Sequence, residues 1–444
     1  MSDKSIDTEK LKRVAAWQQA LVDRGALPCA LTQVVHRGRT VLLEGAGHAD
    51  AAATQPIRED NIFRLYSMTK PIVSIALMTL YEEGRFQLGD SVHRYLGPAW
   101  RKENMRVWSG WTGDEGRQQL QYETAACDSS ITVAQLLTHT SGLSYGFDPS
   151  GRGIPIDRIY AKRFERPTAK TVGEGDPSML GAFCEGLAGM PLWFQPGTRW
   201  NYSYATDVCG RLVEVLSGKP LDVFLRERIF EPLGMLDTAF EAPPEKAARL
   251  VHNHQHVVPE RRGHDVIAGD ESLTFPHVGS LRDVDAHSRP AYLDGSRPKH
   301  LSGGGGLVGT LADYSAFCSM LLAGGVTPSG HRILGRKTMQ FVVSNHLPGD
   351  QSLSDMVPDP DAQYSETATS GGGFGLGFSV VKSPAAAGVI GSVGTFAWGG
   401  AASTIFWCDP QEELYVIFLT QVMGMRPQGS LRAKLGSLVY AALT

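Results

Sequence analysis

Residues 63–76 read FRLYSMTKPIVSIA, and within this stretch a serine is followed three places later by a lysine. Residues three apart lie on one face of a helix, so Ser67 and Lys70 can touch if a helix begins near Ser67. Pro71 supports that start, because proline is tolerated in the first turn of a helix and not in its interior. The apolar run that continues to Gly84 predicts a buried helix that would hold the serine rigidly.

Ser67 at the start of such a helix is a candidate nucleophile. A serine hydroxyl is a poor nucleophile at neutral pH and needs a nearby base. The unpaired N–H groups of a helix N-terminus favour developing negative charge, and a buried lysine loses its proton more easily. The alternative is that Ser67 only caps the helix and Lys70 is a solvated side chain, because the SxxK pattern is short and occurs by chance.

Two other serines match short hydrolase patterns. Ser296 and Lys299 repeat the SxxK spacing, but they lie in a polar stretch with no apolar helix to fix them together. Residues 142–146, GLSYG, fit the GxSxG pattern, which requires a strand before the serine and a helix after it. Here a predicted helix precedes the serine and a Gly- and Pro-rich region follows. For Ser144 we therefore favour a turn that closes the preceding helix.

The composition excludes several classes of protein. The 444 residues suffice for a substantial core and two or three structural units. The 42 basic and 46 acidic residues nearly cancel, which gives no electrostatic case for a nucleic-acid or membrane partner. No apolar run reaches the roughly 18 residues of a membrane helix, and residues 1–25 lack a signal-peptide core, so we expect a cytoplasmic protein. Six scattered cysteines without a CxxC pair predict buried free thiols.

Strand patterns lie at both chain ends and helical patterns in the middle. Residues 30–49 predict two strands joined by a turn, and residues 374–421 predict four more with short connections. Residues 131–140 and 206–218 predict helices, as do segments near both termini. The pattern predicts an α+β fold, with one antiparallel sheet formed from both chain termini, flanked by helices, and an inserted mainly helical domain.

The same pattern predicts the domain boundaries. Residues 1–85 and 225–444 would form the domain of sheet and helices, and residues 86–224 the inserted mainly helical domain. The active site would lie at their interface. Residues 100–128 and 144–178 have the composition of long irregular insertions, and we expect them to form pocket walls.

One histidine cluster raises the question of a metal. His252, His254 and His256 alternate, so a strand would point all three to one side, as metal ligands can be. Polar loop histidines are the favoured interpretation. We expect no metal and no cofactor, because the proposed chemistry needs neither.

Further motifs follow the Ser67 stretch in a fixed order. They are LLTHTSGL at 136–143, WNYSYATDVCG at 200–210, EPLGM at 231–235, SGGGGLVGTLADYSAF at 302–317 and WGG at 398–400. This ordered set resembles the serine β-lactamase-like superfamily over nearly the whole chain, from about residue 28 onward. It is most similar to class C β-lactamases and the family VIII carboxylesterases. The resemblance implies the β-lactamase/transpeptidase-like fold.

The resemblance also implies catalytic roles. Ser67 matches the acylated nucleophile, Lys70 its hydrogen-bonded activator, and Tyr202 the tyrosine that acts as general base and then general acid. A phenol with an ordinary pKa near 10 can act as a base only if a cation stabilises its phenolate, and Lys70 is the candidate cation. The alternative for Tyr202 is a core aromatic residue, since Trp200 and Tyr204 lie in the same segment.

The WGG segment matches the third motif of the superfamily. The resemblance places the oxyanion hole on the backbone N–H groups of Ser67 and Ala401, each donor being worth about 3 kcal/mol. Gly399 and Gly400 would let the backbone approach the substrate closely. Trp398 would contact the substrate, and simple strand packing is the alternative.

Two positions depart from the class C pattern. Tyr204 stands where those enzymes carry an asparagine, and Trp398 replaces the lysine expected to meet a β-lactam carboxylate. Both changes favour a neutral ester, and we assign both residues to substrate binding.

The sequence therefore predicts a carboxylesterase that acts on small-molecule esters with short to medium acyl chains through an acyl-enzyme on Ser67. Side activity on β-lactams stays open. The alternatives are a β-lactamase or DD-peptidase-type amidase, and a catalytically silent binding protein on the same fold.

Overall fold

The computed structural model describes residues 5–112, 121–147, 153–163, 179–256, 281–285, 300–357, 370–423 and 428–444. The helices within these ranges are α1 Thr8–Asp23, α2 Thr69–Glu82, α3 His93–Leu96, α4 Val133–Leu137, α5 Asp157–Arg163, α6 Leu180–Ala188, α7 Ala205–Ser217, α8 Leu221–Leu225, α9 Glu231–Leu233, α10 Leu311–Leu322, α11 Arg336–Val342, α12 Leu353–Met356, α13 Pro384–Ala387 and α14 Gln428–Tyr440. The strands are β1 Cys29–His36, β2 Arg39–Gly47, β3 Phe63–Arg64, β4 Arg106–Trp111, β5 Tyr122–Ala126, β6 His254–His256, β7 Leu281–Asp283, β8 Val308–Gly309, β9 Gly372–Phe374, β10 Ser379–Val381, β11 Phe396–Gly399, β12 Ile405–Asp409, β13 Leu414–Leu419 and β14 Val422–Met423.

The central sheet has seven strands in the order β2-β1-β13-β12-β11-β10-β9. Strands from the two ends of the chain meet where β1 pairs antiparallel with β13, from Leu31 opposite Leu419 to His36 opposite Leu414. The other neighbouring pairs of this sheet are antiparallel as well. The predicted α+β fold with one antiparallel sheet from both termini is therefore confirmed.

The sheet separates two hydrophobic cores, because successive side chains of a strand point to opposite faces. On β1, Val34 belongs to the smaller core, which α1 and α14 cover. Its neighbour Val35 belongs to the larger core, which contains α2 and most of the other helices. This alternation explains why every residue of β1 is buried.

Helix α2 lies inside the larger core and carries the candidate nucleophile at its start. Every residue from Thr69 to Leu80 is buried, which confirms the buried helix predicted from the sequence. Pro71 lies in the first turn, and Gly84 follows the helix with φ +70°. The helix packs against α7, which is entered through Tyr202 and Tyr204.

Two local predictions are wrong. Residues 374–381 do not form one strand: Phe374 ends β9, residues 375–378 form a turn, and Ser379–Val381 form β10. The turn includes Gly377 at φ +95°, where an added Cβ would lie 2.2 Å from Ser74 Oγ. The segment 100–128 is not wholly irregular, since β4 and β5 pair within it as a hairpin. Helix α4 is capped by Thr132, whose side chain and backbone exchange hydrogen bonds with Gln135.

The predicted insertion at 144–178 and the predicted domain boundary at 224/225 can be compared with the structure. Within 144–178, helix α5 is described, whereas 148–152 and 164–178 lie outside the described residues. The predicted boundary at 224/225 falls inside a continuous run of helix, since α8 passes through a π-helical turn into α9. The division into two domains stays a prediction.

Two predictions from composition can be compared with the structure. All six cysteines are buried free thiols, as expected. In the described part of the chain, no helix combines the length and the apolar character needed to cross a membrane.

Candidate active site

Ser67 lies in a short 3₁₀ turn, Tyr66–Met68, that leads directly into α2. Tyr66 has φ +46°, a left-handed conformation that costs a non-glycine residue about 1–2 kcal/mol. The Tyr66 hydroxyl accepts a hydrogen bond from Asn253 Nδ2 at 3.0 Å, which helps to hold this conformation. Strain of this kind is typical of functional sites.

The structure brings the three predicted catalytic side chains together. The Tyr202 hydroxyl donates to Ser67 Oγ at 2.7 Å. Lys70 Nζ lies 3.2 Å from the same oxygen and donates to the Gly304 carbonyl at 2.6 Å. Ser67 Oγ therefore touches both an amine on α2 and a phenol on the segment that leads into α7.

Lys70 is buried in a site that favours its neutral form. Burial lowers the pKa of Lys70 to about 7, and the negative charge of Asp207 opposes this effect. At neutral pH a large fraction of Lys70 is therefore a free amine with a lone pair, which can accept a proton.

The surroundings of Tyr202, in contrast, favour the form that carries its proton. Burial raises its pKa well above the ordinary value, and hydrogen bonds with Ser67 and Trp398 lower it by less. Its ring packs against His139 at 5.0 Å and Trp398 at 5.4 Å between centroids. Tyr202 is therefore a rigidly held neutral phenol at neutral pH, so the geometry favours it as a proton donor over a resting base.

The turn after β11 lies directly against the segment that carries Ser67. An added Cβ on Gly400 would be 2.5 Å from the Leu65 carbonyl oxygen and 2.3 Å from Thr404 Oγ1, so only glycine fits there. Ala401 follows and is exposed. The close approach places this turn beside the start of the Ser67 turn, as an oxyanion hole shared between them requires.

The walls of the site are aromatic. Trp398 is buried on β11 and packs edge-on against Phe374, 5.4 Å between centroids. Tyr145 packs against Tyr204 at 4.4 Å and stacks on Phe147 at 4.3 Å. Phe147 is 49% exposed, so the aromatic surface continues to the protein exterior.

The sequence alternatives to Ser67 do not form sites of the same kind. Ser144 is fully buried, donates to Asp157 Oδ1 and accepts from Asn201 Nδ2 at 3.0 Å. Its hydroxyl therefore ties a turn to α5. Ser296 and Lys299 lie outside the described residues.

The histidine cluster has ordinary partners where it is described. His252 Nδ1 lies 3.2 Å from Asp283 Oδ2, and His254 begins strand β6. Within the described ranges, no group of three or more His, Cys, Asp or Glu side chains is arranged to hold a metal ion.

Sequence reasoning missed four groups that contact the predicted catalytic residues or act on them through their charge. They are the ring of Tyr145, the ring of His139, the carbonyl of Gly304 and the carboxylate of Asp207. Tyr145 follows Ser144 in the GLSYG stretch, so the GxSxG pattern identified a segment that contributes to the site through its tyrosine and not through its serine. Asp207 could have been found as the acidic residue in the first turn of α7, five places after Tyr202.

The chain is similar to known proteins over most of its length. The Beta-lactamase family profile matches residues 14–440. Esterase EstB of Burkholderia gladioli is 32% identical over 437 residues, which cover 96% of this chain and 94% of that protein. An uncharacterized protein of Mycobacterium tuberculosis is 33% identical over 402 residues, 90% of this chain and 87% of that protein.

Solved structures share the architecture. EstCE1, described as a hydrolase with promiscuous acyltransferase activity, matches with a TM-score of 0.70 at 23% identity over 98% of this chain and 99% of that chain. Unliganded simvastatin synthase from Aspergillus terreus matches with a TM-score of 0.74 at 22% identity, with the same coverage of both chains. At these identities the likeness shows a common fold.

Proposed function

Because the chain belongs to the beta-lactamase family, we propose that it is a serine hydrolase that cleaves carboxylic esters through an acyl-enzyme on Ser67. One observation carries the proposal. Ser67 Oγ lies 2.7 Å from the Tyr202 hydroxyl and 3.2 Å from Lys70 Nζ, at the start of a buried helix. The esterase named among its relatives covers nearly the whole chain, which supports ester cleavage.

In the acylation step, Ser67 Oγ attacks the ester carbonyl carbon and its proton passes to the neutral Lys70 amine. The pKa of Lys70 near 7 supports this role. The resemblance to class C enzymes assigned the base role to Tyr202, but burial, which raises its pKa, disfavours a resting phenolate. We therefore assign proton acceptance to Lys70.

In the same step, Tyr202 acts as the general acid. As the tetrahedral intermediate collapses, the C–O bond to the alcohol breaks and the Tyr202 hydroxyl protonates the departing alkoxide. The Lys70 ammonium then returns the Ser67 proton to the Tyr202 phenolate, so both side chains regain their starting forms. In deacylation the same steps run in reverse, with water in place of the alcohol. Lys70 takes the Tyr202 proton, the Tyr202 phenolate accepts a proton from the attacking water, and Ser67 Oγ leaves the acyl carbon with the proton of the Lys70 ammonium, which releases the acid.

The oxyanion would be held by the backbone N–H groups of Ser67 and Ala401. The N–H of Ser67 is in the first turn of its 3₁₀ segment, where helical geometry provides no acceptor. The close contact of Gly400 with the Leu65 carbonyl supports the placement of the Ala401 N–H opposite the N–H of Ser67.

The aromatic walls support a neutral substrate. Trp398 presents an indole where β-lactamases of this superfamily carry a lysine, and Tyr204 contributes a second ring through its contact with Tyr145. Burying the carboxylate of a penicillin against such rings is costly without a charged partner. A small ester with a short to medium acyl chain fits these surroundings better.

The test is a panel of p-nitrophenyl esters, alkyl esters, amides and the β-lactam nitrocefin, assayed with wild type, Ser67→Ala and Trp398→Lys. We expect ester turnover to exceed nitrocefin turnover in the wild type, and Ser67→Ala to lose both activities. Higher efficiency on nitrocefin or amides would establish the β-lactamase or DD-peptidase-type alternative. No turnover and no labelling of Ser67 by a fluorophosphonate would establish the silent binding protein.

Several further expectations stay predictions. They are the cytoplasmic location, the absence of nucleic-acid and membrane partners, and the inserted domain at 86–224. Small-molecule esters as substrates follow from the proposed esterase activity.

A further inference from the structure

A buried carboxylate lies behind the catalytic lysine. Asp207 is 1% exposed and belongs to the first turn of α7, five residues after Tyr202. Its Oδ1 accepts a hydrogen bond from Ser302 Oγ at 2.6 Å. A buried carboxylate with an incomplete set of hydrogen-bond partners costs folding free energy, and the charge of this one acts on the neighbouring Lys70.

The other carboxylate oxygen faces the glycine segment that binds the lysine. Asp207 Oδ2 is buried and has no hydrogen-bond partner among the residues that the structure describes. An added Cβ on Gly304 would lie 2.4 Å from this oxygen and 2.8 Å from the Tyr145 hydroxyl. The carbonyl of the same glycine accepts the hydrogen bond of Lys70 Nζ. One peptide unit therefore separates the carboxylate from the amine, and no direct ion pair joins the two.

We propose that Asp207 is a positioning residue that stabilises the ammonium form of Lys70 while Lys70 holds the Ser67 proton. The proposal rests on the proposed function, because it needs Lys70 as the proton acceptor. An anion one peptide unit away stabilises a buried cation without a hydrogen bond that would prevent the proton from moving on to Tyr202. Since Gly304 has no side chain, the carboxylate lies close enough to act.

The charge balance around Lys70 agrees with this role. The groups that face Lys70 from the packed elements are Tyr145 and Tyr202, with ring centroids 5.1 and 4.5 Å from Nζ, together with His139 and Asp207. Burial, and then the positive charge of Lys70, lower the pKa of His139, and burial raises the pKa values of both tyrosines. Near neutral pH these three rings are uncharged, so Asp207 supplies the anion among the groups that face Lys70.

The experiment is the pH dependence of kcat/KM for p-nitrophenyl butyrate in wild type, Asp207→Asn and Asp207→Ser. Removing the carboxylate makes Lys70 a weaker base. We expect the acidic limb of the profile to move to lower pH by about one unit, the lower end of the effect of a nearby opposite charge. The plateau should fall by about tenfold, because a weaker base accepts the Ser67 proton less readily.

Two matched variants separate charge from packing. Asp157→Asn removes another fully buried carboxylate, which bonds Ser144 and is not among the charges that act on Lys70. Ser302→Ala removes the hydrogen bond to Asp207 but keeps the charge. Both variants are expected to lower thermal stability and to leave the acidic limb in place.

Three results would overturn the proposed role of Asp207. A limb that stays in place in folded Asp207→Asn and Asp207→Ser would overturn the proposal, and so would the failure of both variants to fold, which would assign Asp207 a purely structural role. A shift of the same size in Asp157→Asn would also overturn it. The proposed function itself fails separately, through a Ser67→Ala variant that keeps its activity.

Discussion

Replacing Tyr202 by phenylalanine removes one hydroxyl and keeps the packing of the ring. The hydroxyl donates to Ser67 Oγ at 2.7 Å, whereas the ring is held by His139 and Trp398 through contacts that phenylalanine retains. We therefore expect a folded enzyme with a catalytic defect. The size of that defect depends on the leaving group, because a general acid matters only where a proton must be delivered.

The magnitude follows from the two functions of the hydroxyl. With an ethyl ester, the alkoxide must be protonated, and loss of the general acid is expected to lower kcat/KM by about 10²- to 10⁴-fold. With a p-nitrophenyl ester, the phenolate leaves without a proton. There the loss reduces to one hydrogen bond to Ser67, about 1 kcal/mol, or roughly fivefold.

The assay compares ethyl and p-nitrophenyl butyrate, the first by pH-stat titration and the second by absorbance. Tyr160→Phe is the matched control, since it removes a buried tyrosine hydroxyl that donates to the Pro191 carbonyl and not to Ser67. Its kinetics should match the wild type with both esters. An equal loss of kcat/KM with the two esters in Tyr202→Phe would refute Tyr202 as the general acid and return it to the role of base.

Three further predictions follow from the geometry. Since the pKa of Lys70 is lowered to about 7, the ammonium form below that pH cannot accept a proton, and wild-type kcat/KM should fall about tenfold per pH unit below pH 7; a flat profile down to pH 5 would contradict this. Gly400→Ala should lower kcat by at least about tenfold, because the new Cβ would displace the turn from Leu65. The control Gly89→Ala has open space around the new Cβ and should keep the wild-type kcat. Equal activities of the two variants would argue against the oxyanion turn. Ser144→Ala should lower the free energy of unfolding by about 1–3 kcal/mol, since a buried carboxylate loses a partner, while ester turnover persists; lost turnover in a folded variant would show that Ser144 takes part in the chemistry.

Local sequence was sufficient where neighbours in the chain make the site. The spacing of Ser67 and Lys70, with Pro71 after them, predicted that both side chains meet where a buried helix begins. In the structure Ser67 lies in the 3₁₀ turn that leads into α2, Lys70 lies in the first turn of α2, and the two side chains are in contact. Short apolar runs located the strands from both ends of the chain, because the central strands are buried with one face on each core. The ordered motifs then supplied Tyr202, which no local pattern connects with Ser67.

The remainder depends on contacts that the chain order does not show. Gly304 and Asp207 meet Lys70 only because the glycine segment packs across the start of α7. The role that we propose for Tyr202 differs from the one that the resemblance implied for a similar reason, since burial of its phenol is a property of the assembled core. The hairpin β4–β5 was missed because its composition, rich in Trp, Gly and charge, resembles that of a loop.

Trapping the acyl-enzyme tests the central claim most directly. The protein is mixed with a fluorophosphonate or a slowly hydrolysed ester, and intact-mass and peptide mass spectrometry locate the adduct in wild type and Ser67→Ala. We predict one adduct per chain, on Ser67, and none in Ser67→Ala, which should also lose ester turnover. An adduct on Ser144 or another residue, or a Ser67→Ala variant that still turns over esters, would contradict the assignment of Ser67 as the nucleophile.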